Sequence, residues 1–191
     1  MKQVMSSWNS RATVDLVIQA REQHPQAWEA LFERCNSEMV RFCRRFMGPY
    51  DPLRRIYQSQ DIVHEAFATA IQKIESLRSD ASFYAWVRTI IRHKIAVKRR
   101  SELRSRPATD ADEPAEDMTH ETELATCEQS LHVVEAILEL FPDYSEAMTA
   151  FAMVHLEDFP AEKLTEVLGV SRRTAYRRLE EATKLLRQRL G

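Results

Sequence analysis

Glycine is nearly absent from this 191-residue chain: only Gly48, Gly169 and Gly191 occur. Loops that cradle phosphates need several glycines close together, so that backbone N–H groups can approach the ligand. Their absence excludes a P-loop or a Rossmann dinucleotide site. Cysteine is also scarce. Cys35, Cys43 and Cys127 are odd in number and lack CxxC spacing. That pattern suits reduced thiols better than a disulfide framework, and no His stands at zinc-ligand spacing from them. No apolar run approaches the ~18 residues that span a bilayer. Met1 to Ser10 carries no apolar stretch of signal-peptide type. The expectations are therefore a cytoplasmic protein without membrane insertion, metal or cofactor. The six histidines are scattered and no Asp/Glu/His set has metal spacing, so an enzyme such as a small helical nuclease is not expected.

What the chain has in abundance is Ala, Leu, Arg and Glu, the composition of an all-α protein. Its formal net charge of −2 is a cancellation. Residues 84–108 hold eight basic residues and one acidic one. Residues 109–167 hold sixteen acidic residues and one basic one. Residues 168–191 hold seven basic and two acidic residues. Two basic segments on amphipathic helices suggest two contacts with a polyanion, although a single basic helix more often only solvates its own face.

Apolar periodicity places the helices. A short one over 13–21 buries Val14, Leu16, Val17 and Ala20. The clearest spans 26–47, with Trp28, Leu31, Phe32, Cys35, Met39, Phe42, Cys43 and Phe46 on one face, and Gly48 and Pro49 stop it. Pro52 keeps the next stretch irregular. A helix from Ser59 or Gln60 turns Ile62, Val63, Ala66, Phe67, Ala70, Ile71 and Ile74 inward. After a polar loop, Asp80 or Ser82 caps a helix that buries Phe83, Trp86, Val87, Ile90 and Ile91 and shows Arg88, Arg92, Lys94, Lys98, Arg99 and Arg100 on its other side. Pro107, Pro114 and five acidic residues between Asp110 and Asp117 read as a linker. A second helical set follows: Leu131–Phe141 ended near Pro142, Ser145–His155, a short helix with Leu164, Val167 and Leu168, then a final helix after Ser171. The organisation is two small helical domains, residues 1–103 and 130–191, joined by an acidic flexible linker over 104–129.

The end of the chain carries the most specific pattern. A short helix, Gly169 as a left-handed cap, Val170 as an elbow plug, Ser171 as an N-cap and a basic helix compose a helix-turn-helix. In such a motif the N-terminal residues of the second helix face base edges in the major groove. Arg172, Arg173, Tyr176 and Arg177 occupy that end, and Lys184 and Arg187 stand where phosphates would lie. Antiparallel helix pairs with a glycine turn also occur in bundles without DNA; four arginines within Arg172–Arg178 favour DNA.

At this point the chain resembles a family, the bacterial RNA polymerase sigma factors of extracytoplasmic-function type. Asp61-Ile62-Val63-His64-Glu65-Ala66-Phe67 looks like the family's D-x-V-Q-E-x-F segment. The run from Phe83 to His93 is similar to F-x-x-W-L-x-x-I-x-x-N. Phe141-Pro142, the run Leu164 to Ser171 and Thr174 resemble L-P and E-I-A-x-x-L-G-x-S-x-x-T. The resemblance implies a sigma-2 and a sigma-4 domain, core RNA polymerase and promoter DNA as partners, and no catalytic residues. It implies that Asp61, His64 and Glu65 meet the clamp helices of the β′ subunit, and that the sigma-4 domain meets the β flap. Arg78, Ser79, Asp80, Ser82 and Tyr84 would take unstacked bases of the −10 element, with Arg88, Arg92 and Lys94 on its backbone. Aromatic residues beside a basic face suit single strands. Phe83 and Trp86 read as core, which leaves Tyr84 as the stacking residue. Ser171, Arg172, Arg173, Thr174, Tyr176 and Arg177 would read the −35 element. An anti-sigma factor is a further partner such proteins can have, one the sequence does not reveal. His64 and His93 stand where the family usually has Gln and Asn, Ile71 where Trp is common, and Glu180 and Glu181 lie one turn beyond Arg177. The promoter sequence therefore does not transfer. The competing readings are a stand-alone helix-turn-helix regulator that binds duplex DNA without polymerase, and a helical adaptor whose basic faces are incidental.

Overall fold

The computed structural model describes residues 11–49, 51–77, 79–105, 120–157 and 159–191. Among these residues all regular structure is helical. Helix α1 (Thr13–Arg21) lays Leu16, Val17 and Ala20 on α2 (Pro25–Met47). Pro25 stands in the first turn of α2, where its missing N–H has no helical partner to lose. Gly48 ends α2 at φ +73° and ψ 169°. A Cβ there would touch nothing within 4 Å, so backbone conformation, and not crowding, asks for glycine.

Pro52 does not leave an irregular stretch. It precedes one helical turn, α3 (Leu53–Ile56), because Asp51 Oδ1 accepts the Leu53 N–H at 2.9 Å and proline is well tolerated at a helix start. Helix α4 (Ser59–Lys73) buries Ile62, Val63, Ala66, Phe67 and Ala70. Ile71, expected inside, is 49% exposed, and Val14 on α1 is 41% exposed. Both sit at the margin of an apolar stripe that no helix among the described residues covers. Asp80 does not cap the next helix. It pairs with Arg21 at 2.6 Å, and Arg21 also donates to the Leu77 carbonyl, so this carboxylate ties the loop to α1. A short turn, Asp80–Ser82, then leads into α5 (Phe83–Ser105).

Helix α6 (His120–Phe151) starts earlier than apolar spacing suggests, and residues 120–129 are helical. Contacts with α5 account for this: the Cys127 thiol reaches the Ala96 carbonyl at 3.7 Å, and Arg104 pairs with Glu128 at 2.6 Å. Residues 106–119 of the expected linker lie outside the described residues. Tyr144 (φ −127°, ψ 36°) kinks α6 just after Pro142, whose ring cannot continue the helical hydrogen bonding. A wider turn, Ala152–Leu156, and a tight one, Ala161–Lys163, lead to α7 (Leu164–Leu168) and α8 (Arg172–Leu190).

The core is continuous across the two halves. Leu31, Met39, Val63, Phe83, Trp86 and Ile91 from the first half share one cluster with Ile137, Phe141, Met148, Ala182 and Leu186 from the second. A smaller cluster of Ala150, Met153, Leu164 and Ala175, with Val170 and Leu179 against it, belongs to the helix-turn-helix alone. Helix α5 is therefore covered on two sides, by α2 and α4 and by α6.

Candidate nucleic-acid interface

The final helix pair has the geometry that its residues require. Gly169 closes α7 at φ +62° and ψ 29°, a left-handed cap. Ser171 Oγ accepts the Thr174 N–H at 3.2 Å and lies 2.9 Å from Thr174 Oγ1. Thr174 is thus half-buried in the cap. Ser171, Arg172, Arg173, Tyr176 and Arg177 are exposed along one side of the first two turns. The Arg172 guanidinium lies 5.5 Å from the centre of the Tyr176 ring. That contact fixes a flat cation next to an aromatic face. Arg178 is different: it pairs with Glu146 of α6 and is half-buried. Lys184 and Arg187 are exposed two to three turns further on, in a shallow groove shared with Tyr176, Glu180 and His155. Among the described residues, no carboxylate pairs with Arg173, Arg177, Lys184 or Arg187. Positive charge at this face is uncompensated, apart from exposed Glu180 and Glu181 one turn along.

The basic segment on α5 is arranged otherwise. Lys98 pairs with Glu65 at 2.8 Å and lies 4.3 Å from the Tyr57 ring centre. Arg99 pairs with Asp51. Arg88 pairs with Glu157 at 2.7 Å and with Glu38. Arg92, expected on an open face, is 1% exposed. It faces Phe42, at 4.7 Å from its ring centre, and donates to the Leu156 carbonyl at 3.0 Å. The reason is the double cover of α5: a helix packed on two sides has too little open face for all its basic residues. Burial, partly offset by Glu157, pulls the Arg92 pKa down to about 10. Lys94 is half-buried on the same helix.

Tyr84 is half-buried and meets Phe83 edge-on, with ring centres 6.3 Å apart. Burial, and then its bond to the Cys35 thiol, pushes its hydroxyl pKa up to about 12. Ser82 is buried, Ser79 and Asp80 are half-buried, and Arg78 lies outside the described residues. On α4, Asp61, His64 and Glu65 are exposed on one side. Asp61 is in the first turn, where a carboxylate also complements the helix dipole. The His64 ring lies against Phe32 at 5.2 Å and its Nε2 is 3.1 Å from Gln60 Nε2. Sequence reasoning missed Glu38 and Glu157, which hold Arg88 from distant points of the chain. No local signal marks either.

Among the described residues no three His, Cys, Asp or Glu side chains gather closely enough to hold a metal ion. Burial pushes the Cys43 thiol pKa up to about 11 and also raises those of Cys35 and Cys127. A native chain titrated with a disulfide reagent near pH 8 is expected to show one slowly reacting thiol, Cys127, with Cys35 and Cys43 released only on unfolding. Fast reaction of two or three thiols would contradict the buried positions. Because Cys43 is harder to ionise folded than unfolded, its contribution to stability is complete below pH 9 and declines as pH rises toward 11.

A family model described as ECF sigma factor matches residues 11–191. A curated relative in Xanthomonas campestris pv. campestris, named probable RNA polymerase sigma factor RfaY, is 30% identical over 141 residues. The match covers 72% of this chain and 35% of that protein, so the chain spans about a third of its relative's length.

Proposed function

Because the chain belongs to the ECF sigma factor family, we propose that it binds core RNA polymerase and directs promoter-specific initiation of transcription. The observation that carries this reading is the capped helix α8, which shows Arg172, Arg173, Tyr176 and Arg177 unburied at its N-terminal end after a left-handed glycine turn. That end fits a major groove, where arginine reads guanine bidentately and Lys184 and Arg187 reach phosphates. In this reading residues 130–191 recognise the −35 element and touch the β flap. Residues 1–103 bind the β′ clamp helices through Asp61, His64 and Glu65, and take the −10 strand around Tyr84, Arg88 and Lys94. The acidic segment 104–129 joins them. Binding energy opens the promoter, and no bond chemistry takes place in this chain. Among the described residues no helix is long and apolar enough to cross a membrane, which fits a place beside polymerase in the cytoplasm.

The test is direct. The protein is mixed with bacterial core RNA polymerase and transcription is run on genomic fragments of the source organism. A stable complex and new, discrete start sites are the expected result. No complex with core, together with tight operator binding by the free protein, would instead point to a stand-alone regulator.

A further inference from the structure

Helix α1 carries none of the residues assigned above to DNA or polymerase, yet both of its ends reach residues assigned to the −10 strand. At its last residue a single nitrogen, Arg21 Nη2, donates to the Leu77 carbonyl at 2.5 Å and to Asp80 Oδ1 at 2.6 Å. Only residues 78 and 79 lie between those two acceptors. At its first residue the Thr13 side chain bonds the Tyr84 hydroxyl, which also bonds the Cys35 thiol. Arg34 of α2 fixes that end in turn, donating to Thr13 Oγ1 at 3.1 Å and to the Arg11 carbonyl at 2.7 Å.

The helix is a firm base for such contacts. Leu16, Val17 and Ala20 are buried against α2, and α1 packs on both short turns that flank the loop, Ile74–Ser76 and Asp80–Ser82. Leu77 and Ser82, at the two ends of the loop, are buried as well. Two ordinary effects also favour Arg21 where it stands. A cation in the last turn complements the helix dipole, and its pair with Asp80 is partly open to solvent, where an ion pair adds little to stability. Neither effect needs two acceptors on one nitrogen. What that arrangement fixes is the separation of the Leu77 carbonyl and the Asp80 carboxylate, and with it the shape of the loop between them.

We propose that Arg21 is a positioning residue for capture of the melted strand. It braces the loop so that Ser79 and Asp80 stand ready for an unstacked base, while Thr13 at the other end of α1 steadies Tyr84. A loop already held in its binding shape loses no further freedom when the strand arrives. A loop that adopts that shape only a tenth of the time binds about tenfold more weakly. The role in capture rests on the function proposed above; the brace itself is a contact within the chain.

The test uses the full chain with Arg21→Met, which keeps the stem and removes both bonds, and with Arg21→Lys, whose ammonium can still donate to both acceptors. Native-state hydrogen exchange reads the loop through the Ser82 amide, which donates to the Ser79 carbonyl at 2.9 Å. Fluorescence anisotropy reads strand binding by the polymerase complex. Its probe is a labelled single-stranded oligonucleotide, the non-template strand upstream of a start site found in the transcription test above. Arg21→Met should speed Ser82 exchange about tenfold and weaken strand binding about tenfold. Exchange in α2, the urea midpoint and assembly with core should not change. Arg21→Lys should restore most of both losses. Arg21→Gln, polar but too short to bridge both acceptors, carries the test if Arg21→Met does not fold. Unchanged Ser82 exchange in Arg21→Met would overturn the brace. So would exchange raised equally through α1, α2 and α5, which is a loss of overall stability. Faster loop exchange with unchanged strand binding, in a complex that assembles normally, would overturn the role in capture. Failure of the wild type to assemble with core would overturn the functional reading and leave the brace to stand on the exchange result.

Discussion

Replacing Arg173 and Arg177 together by alanine is expected to abolish recognition of a duplex promoter while leaving binding to core RNA polymerase intact. Each arginine that reads a base edge contributes about 1–3 kcal/mol, so losing both should weaken duplex binding by roughly a hundredfold or more. The two residues are one helical turn apart on the exposed side of α8, and no carboxylate among the described residues competes for either. The substitution removes no buried surface, so the fold should be preserved. Gel-shift titrations of the polymerase complex at one fixed salt concentration give the comparison, since charge loss alone also weakens binding. Equal loss on promoter and non-promoter duplex would mean that these arginines hold phosphates and do not read bases. Unchanged affinity would mean that α8 is not the reading helix.

The second large effect is on stability. Phe83 is 1% exposed and its ring lies 6.3–6.4 Å from those of Trp28, Tyr84 and Trp86. It stands at the first residue of α5 and joins that helix to α2. Phe83→Ala removes most of a large apolar side chain and leaves a cavity that three aromatic neighbours cannot readily fill, which costs about 3–5 kcal/mol. Against a typical total of ~5–15 kcal/mol, such a loss takes much of the margin. Urea denaturation followed by tryptophan fluorescence measures it, because Trp28 and Trp86 flank the site. Phe83→Leu retains most of the volume and should cost less than half as much. A Phe83→Ala variant as stable as wild type would show that this aromatic cluster contributes little.

Helices and turns were legible because each depends on neighbours in sequence. Gly48 and Gly169 mark helix ends through backbone conformation, and Ser171 caps α8 by a bond three residues away. The apolar faces of α2 and α4 follow the same local logic. What could not be read is who covers a face. Ile71 has an inward spacing but is not covered among the described residues, whereas Arg92 has an outward spacing and is covered. Both depend on packing between elements far apart in the chain. The helix-turn-helix residues were legible for a related reason: short-range periodicity separates them from their buried neighbours Ala175, Ala182 and Leu186. The α5 arginines were not, because their partners Glu38 and Glu157 lie 50 and 69 residues away.

Arg178 stands among the four arginines in the first two turns of α8, yet among the described residues it is the one tied to α6, through Glu146. A helix advances about 100° per residue, so a pin at one position sets the compass bearing of every other. With Arg178 anchored inward, Arg173 and Arg177 are aimed outward by rotation about a common axis, before any DNA arrives. Arg178 works as the index mark of the helix: it aims the two arginines proposed to read base edges.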